Sequence, residues 1–176
     1  MSWPNDEFDD LAAELRRRVG AEFMQESAEI EQLAEQQRRR RADLAESARG
    51  AMHRGDRVTL TCQTGRWSGQ LWAVGDDYLV LETIDTWVEA HLPSVGLELE
   101  PSRSGGRSGS PASATWRARL TELELEGDSV SVVAPQANVE VSGKIEVVAL
   151  DHLAIAAGDR RSLLPISMVA VVLRQR

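Results

Sequence analysis

A pattern that occurs twice constrains this chain more than any single residue does. Gly55-Asp56-Arg57-Val58 returns as Gly127-Asp128-Ser129-Val130, and Ser68-Gly69-Gln70-Leu71 returns as Ser142-Gly143-Lys144-Ile145. Val74 corresponds to Val148, Asp77 to Asp151, Leu79 to Leu153 and Leu81 to Ile155, and Leu92-Pro93 is echoed by Leu164-Pro165. The offset is 72 residues at both ends and 74 in the middle, which places the insertions in turns. Self-similarity of this kind means two copies of one structural unit. A unit of about 50 residues buries too small a fraction of its surface to be stable alone. The copies are therefore expected to pack against each other or against the N-terminal region.

Inside each copy the residues alternate as in strands. Val58, Leu60 and Cys62 alternate with Thr59 and Thr61. Gln63-Thr64-Gly65 and Gly75-Asp76-Asp77 read as turns, Trp67, Gly69 and Leu71 as a second strand, Leu79 and Leu81 as a third, and Thr86 to Leu92 as a fourth. Short strands and tight turns at this spacing suggest a small barrel or sandwich. Trp116 to Glu126 reads as a short helix leading the second copy.

Residues 6 to about 50 lack proline and are rich in Ala, Glu, Gln, Leu and Arg, which favours helix. Phe8, Leu11, Leu15, Val19, Phe23, Ile30, Leu33, Leu44 and Ala48 form one apolar stripe, interrupted by Gln37 and the run Arg38 to Arg41. Gly20 could split this helix into a pair. The stripe needs cover: the barrels, a second copy, or another protein. Residues 101 to 114, PSRSGGRSGSPASA, read as a flexible linker. The expected fold is thus α+β: a long N-terminal helix or helix pair (1–50), a first small antiparallel β-barrel (51–100), the linker, then a short helix and a second barrel (115–176).

Gly65, Gly69, Leu71, Val74, Leu79 and Leu81, with Gly143, Ile145, Val148, Leu153 and Ile155 in the second copy, resemble the first motif of the Sm-like barrels, which are SH3-type five-stranded barrels. The chain also resembles a class of bacterial proteins with an acidic helical front end and two such barrels. The resemblance implies a fold, not a ligand. The Sm aspartate and asparagine positions hold Gly75 and Tyr78, or Ala149 and His152, and the family's Arg-Gly-Asp/Asn motif is missing. The uridine contacts of that family therefore do not carry over.

Chemistry is hard to place. His53, His91 and His152 have no metal-ligand spacing, so neither a metal nor a cofactor is expected. Cys62 reads as a small apolar residue of the first strand with no base to activate it. Asp76-Asp77 suits turn chemistry. SGGRSGS lacks the Lys-Ser/Thr of a phosphate-binding loop. No catalytic residue is expected, and the chain is read as a non-enzyme. The net charge of -8 disfavours a generic nucleic-acid coat, although Arg38, Arg39, Arg40 and Arg41 keep an RNA- or ribosome-associated role as the alternative. Trp72 has outward parity and is the candidate interaction residue of the first barrel. The partner expected is a protein, or a second copy through the N-terminal helix, and no membrane. The acidic N-terminus is unlike a signal peptide, and a single cysteine fits a reducing compartment, so a cytoplasmic location is expected.

Overall fold

The computed structural model describes residues 24, 30–34, 36–37, 40, 42–102, 105–106 and 113–176. Contacts divide the chain into residues 1–42 and a compact unit, Asp43–Arg176. The described residues up to Arg40 are helical, but Ala42 and Asp43 are not. Asp43 is extended, and its side chain accepts from the Glu46 backbone N–H at 2.7 Å. That bond caps a new helix, α1 (Leu44–Arg54), so one rod through residue 50 is not what forms. The stripe residues Phe8 to Phe23, and Gly20, lie outside the described residues.

The compact unit starts with α1 and continues into β1 (Arg57–Cys62), β2 (Gly65–Val74), β3 (Tyr78–Glu82), β4 (Thr86–His91) and β5 (Gly96–Glu100). The second copy is α2 (Trp116–Glu126), β6 (Ser129–Ala134), β7 (Val139–Val148), β8 (His152–Ala157), β9 (Arg160–Pro165) and β10 (Val171–Gln175). Short 3-10 turns follow β4 at Leu92–Ser94 and β9 at Ile166–Met168. Each helix ends on a glycine in the left-handed region, Gly55 at φ 72° and Gly127 at φ 69°, which is why the Gly-Asp signature recurs.

The repeat is structural. Gly75 N–H bonds the Tyr78 carbonyl as Ala149 bonds that of His152, and Leu92 N–H bonds the Asp77 carbonyl as Ile166 bonds that of Asp151. β2 and β7 each carry a register shift, between Leu71 and Ala73 and between Ile145 and Val147. A Cβ on Gly69 would lie 2.1 Å from the Glu82 carbonyl oxygen, and one on Gly143 would lie 2.0 Å from that of Ala156. The repeated Ser-Gly thus marks where the neighbouring strand presses closest. The pairing also corrects one alignment. Leu92 corresponds to Ile166, not Leu164, because β4 and β9 sit 74 residues apart against β3 and β8.

Two closed barrels do not form. The ten strands make one open antiparallel sheet in the order β5-β1-β2-β3-β4-β10-β6-β7-β8-β9. In a barrel of this order β4 would close on β5. Here the free edge of β4 is taken by β10, from Val171 opposite Ala90 to Gln175 opposite Thr86, and the other edge of β10 pairs with β6. An unpaired strand edge is a liability, and a five-residue ladder from the other copy satisfies it.

This joint merges the two units. One core holds α1, β1 and the faces of β3 and β4 carrying Leu79, Leu81, Val88 and Ala90, with Val133 and Val171 from the second copy. The other core gathers α2 and the second copy's strands, and takes Tyr78 and Val80 from the opposite face of β3. β3 is therefore buried on both faces, unlike an ordinary strand of an antiparallel sheet with one wet side. Each Val or Leu so buried contributes about 1.5–3 kcal/mol. The copies stabilise one another, as expected for units too small to stand alone.

Candidate interaction surface

The residues with chemistry outside simple packing gather at the joint and at the two sheet ends. At the joint, Glu89 on β4 is fully buried. Arg119 of α2 donates to both of its oxygens, from Nε at 2.6 Å and Nη2 at 2.7 Å, and Arg174 of β10 adds Nε at 3.0 Å. Arg119 also reaches Glu122 and Glu126, and Arg174 reaches Glu126. Burial opposes the charge of Arg119, but Glu89, Glu122 and Glu126 more than offset it and hold the guanidinium protonated. This network joins both copies through β4, β10 and α2. It acts as a structural lock between them.

Trp72, on the bulge of β2, is 41% exposed, as its outward parity predicts. Its ring meets Trp87 edge-on at a centroid separation of 5.5 Å, and Arg174 lies over Trp87 at 5.9 Å. Its counterpart in β7 is Glu146, which pairs with Arg161, so the tryptophan belongs to one copy only. Of the arginine run, Arg40 is helical and exposed, while Arg38, Arg39 and Arg41 lie outside the described residues.

The other candidates stay dispersed. His91 stacks on Trp116 at 6.0 Å and contacts Ser94 through Nδ1 at 3.1 Å. Burial holds its pKa below the ordinary histidine value, with Asp77 partly offsetting. His152 Nδ1 lies 2.7 Å from its neighbour Asp151. Cys62 is half-buried beside Thr64. Asp76 pairs with Arg49, and Asp77 accepts from the Trp116 backbone N–H at 2.5 Å, which is turn and cap chemistry. Among the described residues no group of three His, Cys, Asp or Glu side chains could hold a metal. An open groove of about 630 Å³ runs past Arg57, Gln70, Glu82 and Arg176, and neither a histidine nor a cysteine lines it. Among the described residues no helix is long and apolar enough to cross a membrane.

The sheet ends were not singled out by sequence reasoning. Among the described residues β5 pairs with β1 alone and β9 with β8 alone, so each leaves one edge of backbone groups unpaired by strand. β5 reads Gly-Leu-Glu-Leu-Glu, with Glu98 and Glu100 exposed. β9 reads Arg-Arg-Ser-Leu-Leu-Pro, with Arg160, Arg161 and Leu163 exposed. The available signal was the charge of these two strands, one acidic and one basic. No family model matches the chain, and no curated protein is found to be similar to it.

Proposed function

We propose that this chain is a non-enzymatic protein-interaction scaffold that engages partners by adding strands to the ends of its sheet. One observation carries the reading: a single ten-stranded open sheet with an acidic edge at β5 and a basic edge at β9. Edge strands bind by main-chain hydrogen bonds, and side chains along the edge select the partner. The dispersed histidines, cysteine and paired aspartates support a binding role over catalysis. The reading places the protein in the cytoplasm.

Native affinity purification from the source cell, with and without nuclease, tests it. The expected result is a protein that survives nuclease and is lost when Glu98 and Glu100, or Arg160 and Arg161, are changed to the opposite charge. Recovery dominated by nuclease-sensitive material and indifferent to those changes would replace this reading with a nucleic-acid role.

A further inference from the structure

The joint between the two copies is a template for a joint between two chains. β10 corresponds to β5 at an offset of 75 residues, because Val172 faces Val132 in β6 as Leu97 faces Leu60 in β1. β9 corresponds to β4 at an offset of 74. Among the described residues the sheet thus ends in one copy of each strand that the β4–β10 joint uses, each with an edge unpaired by strand. We infer that β9 of one molecule pairs antiparallel with β5 of the next, in the register of β4 on β10, giving head-to-tail self-assembly. This rests on the strand-edge reading of function and names the partner as a second copy of this chain.

Transferring the register makes specific pairs. Val172 opposite Glu89 becomes Leu97 opposite Leu163, and Gln175 opposite Thr86 becomes Glu100 opposite Arg160. Glu98 lies diagonal to Arg160 on the same face as Glu100. Opposite charges directly across an antiparallel pair are favourable and like charges are not. Leu163, which is 60% exposed in the single chain, finds an apolar partner in Leu97, which already packs against the first core.

The buried ion pair of the internal joint also changes consistently. Leu163 stands where Glu89 does, and Ser47 of α1 stands where Arg119 of α2 does, 72 residues on. Both charges are replaced together, so the intermolecular joint buries neither one unpaired. The alternative pairings are disfavoured. β5 on β5 sets Glu98 and Glu100 against themselves, and β9 on β9 does the same with Arg160 and Arg161. Like charge within each edge and opposite charge between edges admits the heterologous contact alone. Such a contact closes into a ring or continues as a filament.

The test uses the full chain with Cys62→Ser, carrying either Leu97→Cys or Leu163→Cys. Directly opposed Cα atoms in an antiparallel pair lie about 4.5–5.5 Å apart, within disulfide range. The expected result is a covalent dimer on oxidation of the mixture, with neither variant crosslinking alone. By light scattering, Arg160→Glu and Glu100→Arg should each reduce the assembly to single chains of 19.4 kDa, and the two together should restore it. A monomer at every concentration, or crosslinking of one variant with itself, overturns the inference. If that monomer still captures another protein through the same edge charges, strand addition stands as the function and the second copy falls as the partner. If edge-dependent capture is also absent, both fall.

Discussion

Arg119 grips Glu89 through two parallel hydrogen bonds, and the two residues come from different copies of the repeat. Glu89 belongs to β4 of the first unit and Arg119 to α2 of the second. The pair closes the one seam at which two similar units become a single sheet.

Removing one partner leaves the other buried with fewer opposite charges: Glu89 keeps Arg174, and Arg119 keeps Glu122 and Glu126. Glu89→Ala or Arg119→Ala is expected to cost about 3 kcal/mol, the low end for a broken buried pair. Replacing both with apolar residues, as in Glu89→Leu with Arg119→Met, should recover most of that loss. Urea unfolding of the two single variants and the double variant checks this, and additive single losses would contradict it.

The two close-packed glycines make a matched pair of sites. Gly69→Ala and Gly143→Ala each force a Cβ against a carbonyl oxygen of the next strand, Glu82 or Ala156. Each should destabilise by about 1–3 kcal/mol as an overpacked position. Thermal unfolding should show similar losses at both, since the geometry is the same in both copies.

His91 makes stability depend on pH. Burial lowers its folded pKa below the unfolded value, so the unfolded state binds the proton more readily. Its contribution is complete above about pH 6.5 and declines as pH falls from there towards the folded value. Denaturant titrations at stepped pH should show a shallower loss over that window for His91→Asn than for the parent chain.

A first copy excised alone, residues 43–100, lacks α2 to cover Tyr78 and Val80 and lacks β10 to pair β4. It is expected to show no cooperative unfolding transition, whereas residues 43–176 should show one. Calorimetry distinguishes the two.

Trp72 lies on a bulge of β2, away from both sheet ends in strand order. Trp72→Ala should remove an edge-on aromatic contact worth about 0.5–1.5 kcal/mol. It should leave assembly unchanged by light scattering at matched concentrations.

Much of the unit was legible in the sequence because local rules made it so. Gly55 and Gly127 end helices, Gly69 and Gly143 admit a neighbouring strand, and the alternation from Val58 to Cys62 is a strand. Where β4 finds its second neighbour was not legible. β5 and β10 each fit beside the first strand of their own copy, and alternation does not say which of them closes the edge of β4. Glu89 illustrates the same limit. In the sequence it is a charge between Val88 and Ala90, at a position that would face water in a barrel. In the structure α2 covers that face, and Glu89 is among the most buried residues. The Leu92-Pro93 and Leu164-Pro165 match misled because a shared dipeptide outweighed the strand register, which moves by two residues. The outward position of Trp72 followed from parity, while the acidic and basic edges were missed because alternation does not say which strands end the sheet.

The position of β10 has a consequence for how the protein is made. It is the last of the ten strands to leave the ribosome, yet it lies in the interior of the sheet between β4 and β6. Until it arrives, β4 waits with an open edge, and its partner residues are 81 to 89 positions away in sequence. Contacts this distant form slowly, and an unpaired strand held open in the meantime invites mispairing with neighbouring nascent chains. Production of this protein should therefore be more sensitive to crowding of ribosomes on its message than its finished stability would suggest.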